Sequence, residues 1–279
     1  MFSCGKYSLS LQRPLIMGIV NLTPDSFTGD GMSFCIKQAV AHAQFQIDAG
    51  ADILDLGAES SRPGAVPTTL GEELGRLLPV LQALEGCGVP ISIDTYKPEV
   101  MKEALAAGAS MINDIYGFRM PGAFEAVANS DCTLCIMHMQ GEPHSMQLNP
   151  VYHDVVTEVR QFFENRIQSA KSAGIHMSRI VLDPGYGFGK TFGHNIELLS
   201  RQNELLAVGF PLLAGLSRKS MLGQIVAKPV GDRMYASVSA ALLAAQRGAS
   251  FIRVHDVAAT QDVLAVWNVL EQYREGSCD

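Results

Sequence analysis

The chain has 279 residues, 47% of them hydrophobic, and a formal net charge of −7. An α/β barrel commonly needs about 250 residues, so one domain spanning 1–279 is the economical expectation. The acidic balance supplies no basic field for a nucleic-acid backbone, and no stretch approaches the roughly 20 apolar residues that cross a bilayer, so neither nucleic acid nor membrane is an expected partner.

Met1 to Arg13 alternates polar and apolar residues and lacks the apolar core of a leader, which points to a cytoplasmic protein. The first strand-like run is Leu15–Val20, followed by a helical pattern over Ser33–Ala49. Ile53–Leu56 precedes Gly71–Leu84, Pro90–Ile93 precedes Pro98–Ala107, and Met111–Ile112 precedes Gly122–Ala128. Thr133–Met137 precedes Val151–Ala173, and Ile180–Leu182 precedes Asn195–Leu206. Pro211–Ala214 precedes Asp232–Arg247, and Phe251–Val254 precedes Ala258–Tyr273. Gly50, Gly108, Gly174 and Gly248 fall where helical patterns stop, as expected of left-handed helix ends.

Strict alternation of strand and helix predicts a parallel sheet, and continuously apolar strands predict burial on both faces. A doubly wound open sheet is the alternative. Eight repeats without a linker favour a closed (β/α)8 TIM barrel, because an open sheet would leave edges to protect.

Six cysteines, at positions 4, 35, 87, 132, 135 and 278, are too sparse for a disulfide framework. Cys132 and Cys135 form a CxxC with His138 beyond it, but no second cysteine pair completes a zinc site. The apolar run around them predicts buried, inert thiols.

Polar residues follow every expected strand. The first is followed by Asn21-Leu22-Thr23-Pro24-Asp25-Ser26-Phe27, the second by Glu59-Ser60-Ser61-Arg62-Pro63-Gly64, and the third by Asp94-Thr95. Asn113-Asp114, His138 and Asp183-Pro184-Gly185 follow the next three. Ser217-Arg218-Lys219 follows the seventh and His255-Asp256 the eighth, with Arg253 inside that strand. In a barrel these ends converge on one mouth, where barrel enzymes keep their active sites.

Arg62, Lys219, Arg253 and His255 suit an anion such as phosphate or pyrophosphate. The segment from Gly215 to Lys219 lies where barrels frequently bind phosphate. Asp94, Asn113 and Asp183 suit the N–H and amino groups of a heterocycle, so a bipolar site is expected. Gly185-Tyr186-Gly187-Phe188-Gly189-Lys190 lacks the spacing of a nucleotide-binding loop, and Lys190 at its end is expected in solvent.

Taken together, the segments 18–27, 59–64, 93–95, 112–114, 182–190, 217–220 and 253–255 resemble the dihydropteroate synthase family of bacterial folate synthesis. The resemblance covers nearly the whole chain. It implies a transferase that condenses 6-hydroxymethyl-7,8-dihydropterin pyrophosphate with p-aminobenzoate, with magnesium as cofactor. By position it implies that Asp94, Asn113, Asp183 and Lys219 hold the pterin. Asn21, Arg253 and His255 are implied to hold the pyrophosphate, Asn21 through the magnesium. Phe27, Ser61, Arg62, Pro63, Phe188 and Ser220 are implied to complete the p-aminobenzoate pocket, and the family is a sulfonamide target.

Two departures stand out: Ser61 where some relatives carry Thr, and Thr28-Gly29-Asp30-Gly31-Met32 in place of the usual Ser-Asp-Gly-Gly. A pterin-binding methyltransferase barrel is the nearest rival, although a methyl donor has no pyrophosphate for Arg253 and His255 to hold. A catalytically silent pterin-binding homologue is the rival of another class. The apolar stretches Ser237–Ala245 and Val263–Leu270 leave room for a homodimer, or simply cover the barrel.

Overall fold

A computed structural model of the chain describes residues 1–23, 35–60, 64–143, 145–274 and 276. A short antiparallel hairpin, β1 (Phe2–Cys4) and β2 (Tyr7–Leu9), precedes the barrel. The barrel strands are β3 (Leu15–Asn21), β4 (Ile53–Gly57), β5 (Ile91–Asp94), β6 (Met111–Asp114), β7 (Thr133–Met137), β8 (Ile180–Asp183), β9 (Leu212–Ala214) and β10 (Ala249–Val254). They close in the order β10-β3-β4-β5-β6-β7-β8-β9, so the closed parallel barrel, not the open sheet, is the architecture.

The helices α1 (Ile36–Asp48), α2 (Leu70–Ala83), α3 (Pro98–Ala106), α4 (Ala123–Val127), α5 (Val155–Ser172) and α6 (Phe192–Ser200) follow β3 to β8 in turn. Both α7 (Ser220–Val226) and α8 (Met234–Gln246) follow β9, and α9 (Val257–Arg274) ends the chain. The single helix expected over Asn195–Leu206 is instead α6 followed by a 3-10 segment, Gln202–Val208. Thr191 fixes the start of α6 at Phe192, three residues before the expected start, its hydroxyl accepting from the His194 N–H. Gly108 and Gly248, at φ +99° and +88°, sit in the left-handed region as the helix ends required.

Side chains alternate across each strand. Ile16, Leu54, Ile112, Leu134, Leu182 and Ile252 join the cluster between sheet and helices. Their neighbours Leu15, Met17, Ile53, Met111, Cys135, Val181, Leu213 and Phe251 form a second cluster inside the barrel, closed by Phe2 and Cys4 of the hairpin. Phe2 meets Phe251 edge-on with ring centroids 5.4 Å apart. The polar-apolar alternation of Met1 to Arg13 is thus strand periodicity, and it closes one end of the barrel.

Cys135 lies in the inner cluster and Cys132 in the outer one, so the CxxC side chains face away from a common point. Burial raises both thiols, Cys135 well above its usual range. No group of three His, Cys, Asp or Glu side chains able to hold a metal occurs among the described residues. Replacing both cysteines with alanine should leave turnover within a few-fold and lower the melting temperature, because small buried thiols matter through packing. Stoichiometric zinc in the purified protein, lost in the double variant, would overturn that reading.

Candidate active site at the barrel mouth

The strand period of two builds the site directly on the inner apolar layer. Two residues beyond Ile53, Met111, Val181 and Phe251 come Asp55, Asn113, Asp183 and Arg253, and two beyond Ser92 comes Asp94. Each polar residue therefore shares the inward face of its strand. The register places Asp55 beside Ser92 and Asp94 beside Asn113, so the carboxylates and amide form a continuous polar surface.

Arg253 lies at the centre of this surface. Its Nε donates to Asp55 Oδ2 at 2.6 Å and its second nitrogen donates to Asp94 Oδ2 at 2.8 Å. Asn113 Nδ2 makes a longer contact, 3.4 Å, to the same Asp55 oxygen. Burial opposes the Arg253 charge, but the attraction of Asp55 and Asp94 outweighs it and raises the guanidinium further. Burial pushes the Asp94 carboxyl up to about 7 even with Arg253 beside it.

Asp55 was not singled out in the sequence, although a lone carboxylate inside the apolar run Ile53-Leu54-Asp55-Leu56 was a usable signal. Its other oxygen, with Asn113 Oδ1 and Ser92 Oγ, is buried without a hydrogen-bond partner among the described residues. Unpaired buried acceptors are costly and mark positions where a ligand N–H would be bound strongly.

Lys219 caps the start of α7 with its backbone, while its ammonium donates to the Tyr186 carbonyl and lies 4.6 Å from the Phe188 ring centroid. Burial lowers the ammonium to about 8, with Asp183 opposing that fall and Arg253 adding to it. Asp183 is itself raised by burial, and its Oδ1 accepts the Gly185 N–H at 2.7 Å. The cationic and acidic residues expected at opposite poles are therefore interleaved. Arg253 pairs with Asp55 and Asp94, and Lys219 lies in the field of Asp183.

On the adjacent rim, Ser217 Oγ lies 2.9 Å from His255 Nδ1 and accepts the His255 N–H at 3.2 Å. Gly215 lies against Arg253, whose Cβ is 3.9 Å from where a Cβ on residue 215 would stand, an ordinary packing distance. Ser220 is exposed at the first turn of α7. Asn21 ends β3 beside Gly57, and its amide makes no side-chain hydrogen bond among the described residues. Phe27, Ser61, Arg62 and Pro63 lie outside the described residues.

The loop bearing those last three residues is anchored at its described ends. Glu59 accepts from Lys97, from the Tyr96 hydroxyl at 3.0 Å and from the Thr68 N–H at 3.1 Å, while Lys97 also reaches buried Glu73 at 2.5 Å. Of these residues Glu59 and Tyr96 border a cavity of about 210 Å³ beside Asp94, also lined by Ile115, Tyr116 and Pro143.

Lys190 departs from expectation. It is 2% exposed, with its ammonium 2.9 Å from the Gly185 carbonyl, 3.0 Å from the Phe188 carbonyl and 2.9 Å from His138 Nδ1. The loop folds back on residues 138–140, which sequence spacing did not reveal.

The profile of the family described as "Pterin binding enzyme" matches residues 17–255, and the chain belongs to that family. Within it, the chain is 45% identical over 262 residues to a dihydropteroate synthase of Haemophilus influenzae, covering 93% of this chain and 94% of the relative. It is 47% identical over 277 residues to that of Neisseria meningitidis serogroup B, covering 97% of each. Among solved structures, the Yersinia pestis dihydropteroate synthase in a sulfonamide complex superposes with a TM-score of 0.93 at 43% identity, covering 98% of this chain and 100% of that one. The Burkholderia cenocepacia dihydropteroate synthase complexed with 7,8-dihydropteroate gives a TM-score of 0.90 at 48% identity, covering 99% and 98%.

Proposed function

We propose that the chain synthesises 7,8-dihydropteroate from 6-hydroxymethyl-7,8-dihydropterin pyrophosphate and p-aminobenzoate, a step of folate synthesis. The observation that carries this reading is the convergence of Asp94, Asn113, Asp183, Lys219 and Arg253 at the barrel mouth, with buried acceptors on Asp55 and Asn113 unpaired among the described residues. A dihydropterin is a flat heterocycle with several N–H donors and a ring carbonyl. The carboxylates and Asn113 Oδ1 accept from its donors, and Lys219 donates to its acceptor edge.

The reaction asks little covalent chemistry of the protein. The electron-rich dihydropterin stabilises positive charge on its exocyclic methylene, so the carbon–oxygen bond breaks and the electron pair leaves with pyrophosphate. The p-aminobenzoate nitrogen then attacks the methylene carbon and loses a proton. The chain must therefore order two flat substrates and hold a departing anion. Arg253 and His255 meet the pyrophosphate, with Arg62 completing the cations. Phe188, Ser220 and the loop residues Phe27, Ser61 and Pro63 frame the p-aminobenzoate, the part of the site that a sulfonamide would take.

Magnesium fits Asn21, because the amide oxygen stands at the strand end without a hydrogen-bond partner among the described residues, and a hard ion needs few protein ligands when phosphate oxygens and water supply the rest. When bound there, it would neutralise charge on the pyrophosphate. Asn21→Ala should raise the magnesium concentration needed for half-maximal turnover about tenfold, roughly the loss of one ligand interaction of 1.4 kcal/mol. Full turnover in excess chelator would remove the metal from the account.

Purified chain supplied with both substrates should yield a product with the mass of 7,8-dihydropteroate. Pterin binding without that product would leave a silent binding homologue instead.

A homodimer is supported by one surface. Val266, Val269, Leu270 and Tyr273 of α9 are 60–75% exposed and recur at helical spacing on one face. Val269→Glu with Leu270→Glu should halve the mass seen in sedimentation, whereas an unchanged monomeric mass in both forms would refute the dimer. No helix among the described residues is long and apolar enough to cross a membrane, and the described cysteines are free thiols, which supports a reducing cytoplasm as the location.

A further inference from the structure

The Gly185–Gly189 turn carries a buried ammonium on one side and the Lys219 ammonium on the other. On the inner side, Lys190 Nζ is ringed by Gly185 O, Phe188 O and His138 Nδ1 at 2.9–3.0 Å, with His138 O at 3.4 Å. No carboxylate pairs with it among the described residues. Burial lowers this ammonium well below its usual range, so a lysine held by two close carbonyls and an imidazole nitrogen is an expensive way to fill space that methionine would fill apolarly. Its use is therefore in what the ammonium grips.

What it grips is the turn beneath Lys219. The Tyr186 carbonyl accepts from Lys219, the Phe188 ring lies under the Lys219 ammonium, and Gly187 adjoins the Lys219 stem. The turn is pressed on the 138–140 segment so closely that a Cβ on Gly185 would stand 1.9 Å from the His138 carbonyl oxygen, and one on Gly189 2.4 Å from that of Gln140. Two of the three peptide groups bonded to Lys190 and the acceptor used by Lys219 thus belong to one tight turn.

We propose that Lys190 is a positioning residue, which staples the Gly185–Gly189 turn to residue 138 so that Tyr186 O and Phe188 hold the Lys219 ammonium at the pterin. The inference rests on the proposed assignment of Lys219 to the pterin.

The test is calorimetric titration with 6-hydroxymethylpterin of wild type, Lys190→Met, Lys190→Gln, Lys219→Met and the Lys190→Met/Lys219→Met double variant, each checked for folding by circular dichroism. Lys190→Met should weaken binding roughly tenfold, and Lys190→Gln, which keeps two donors, should lie between it and wild type. In the Lys219→Met background the same change should cost less than about twofold, because a residue acting through Lys219 has nothing left to position. Full affinity in folded Lys190→Met would overturn the proposal, as would an equal loss in both backgrounds. Failure of both Lys190 variants to fold would assign the residue to stability alone and overturn it too. A wild type that does not bind the pterin would instead refute the underlying site.

Discussion

Lys219→Met should lower affinity for a dihydropterin about ten- to hundredfold, the worth of one buried charged donor at roughly 1.5–3 kcal/mol. The same change takes from buried Asp183 the strongest of the cations that oppose its rise, so that carboxyl should titrate higher still. The wild-type ammonium titrates near pH 8, so pterin affinity should hold below that pH and decline above it as the charge is lost. Folding stability should move the other way. The folded pKa, about 8, lies below the ordinary 10.5, so the unfolded chain binds that proton more tightly and this site's contribution to stability rises with pH between the two. Lys219→Met should abolish both trends, and titration calorimetry with pH-dependent melting reads them separately. Pterin affinity that is flat to pH 10 in the wild type would contradict the role given to Lys219.

Arg253→Met should be damaging twice over. Removing the guanidinium leaves Asp55, fully buried, and Asp94 with no countercharge, and breaking such a pair typically costs about 3–5 kcal/mol of stability. That cost falls near the low end if Asp94 takes a proton, which its pKa of about 7 makes easy. Turnover should drop about 10²- to 10³-fold, as expected when a preorganised donor to developing charge is lost. Arg253→Lys keeps the charge but cannot span both carboxylates, so it should restore stability more than turnover. Denaturant melts and single-turnover rates on the two variants check this, and an Arg253→Met enzyme with wild-type turnover would remove Arg253 from the chemistry.

The sequence signals were strongest where one strand period governed them. All eight barrel strands were expected, yet β5, β6 and β8 run on through Asp94, through Asn113 and Asp114, and through Asp183, past the point where the apolar runs stop. The reason is that the inner face of the barrel changes from apolar to polar toward the mouth while the ladder continues. Asp55 escaped notice for the same reason, being a mouth residue inside an apolar run. Lys190 was misplaced because its burial depends on a turn folding back on residue 138, a contact between distant segments that no local pattern encodes. The alternation of Met1 to Arg13 did not by itself predict a hairpin, since two three-residue strands gain stability only from the barrel end they close. The interleaving of Arg253 with Asp55 and Asp94 required knowing which strands become neighbours, and β10 and β4 both flank β3 only once the barrel is shut.

The mouth ordered by Asp94, Asn113, Asp183, Lys219 and Arg253 is proposed to join a dihydropterin to an arylamine as pyrophosphate departs. Pyrophosphate release by the purified chain, measured with and without p-aminobenzoate, tests it most directly. Release should accelerate when p-aminobenzoate is added, with one 7,8-dihydropteroate formed for each pyrophosphate. No release under either condition, or release that p-aminobenzoate neither accelerates nor converts to dihydropteroate, would contradict it.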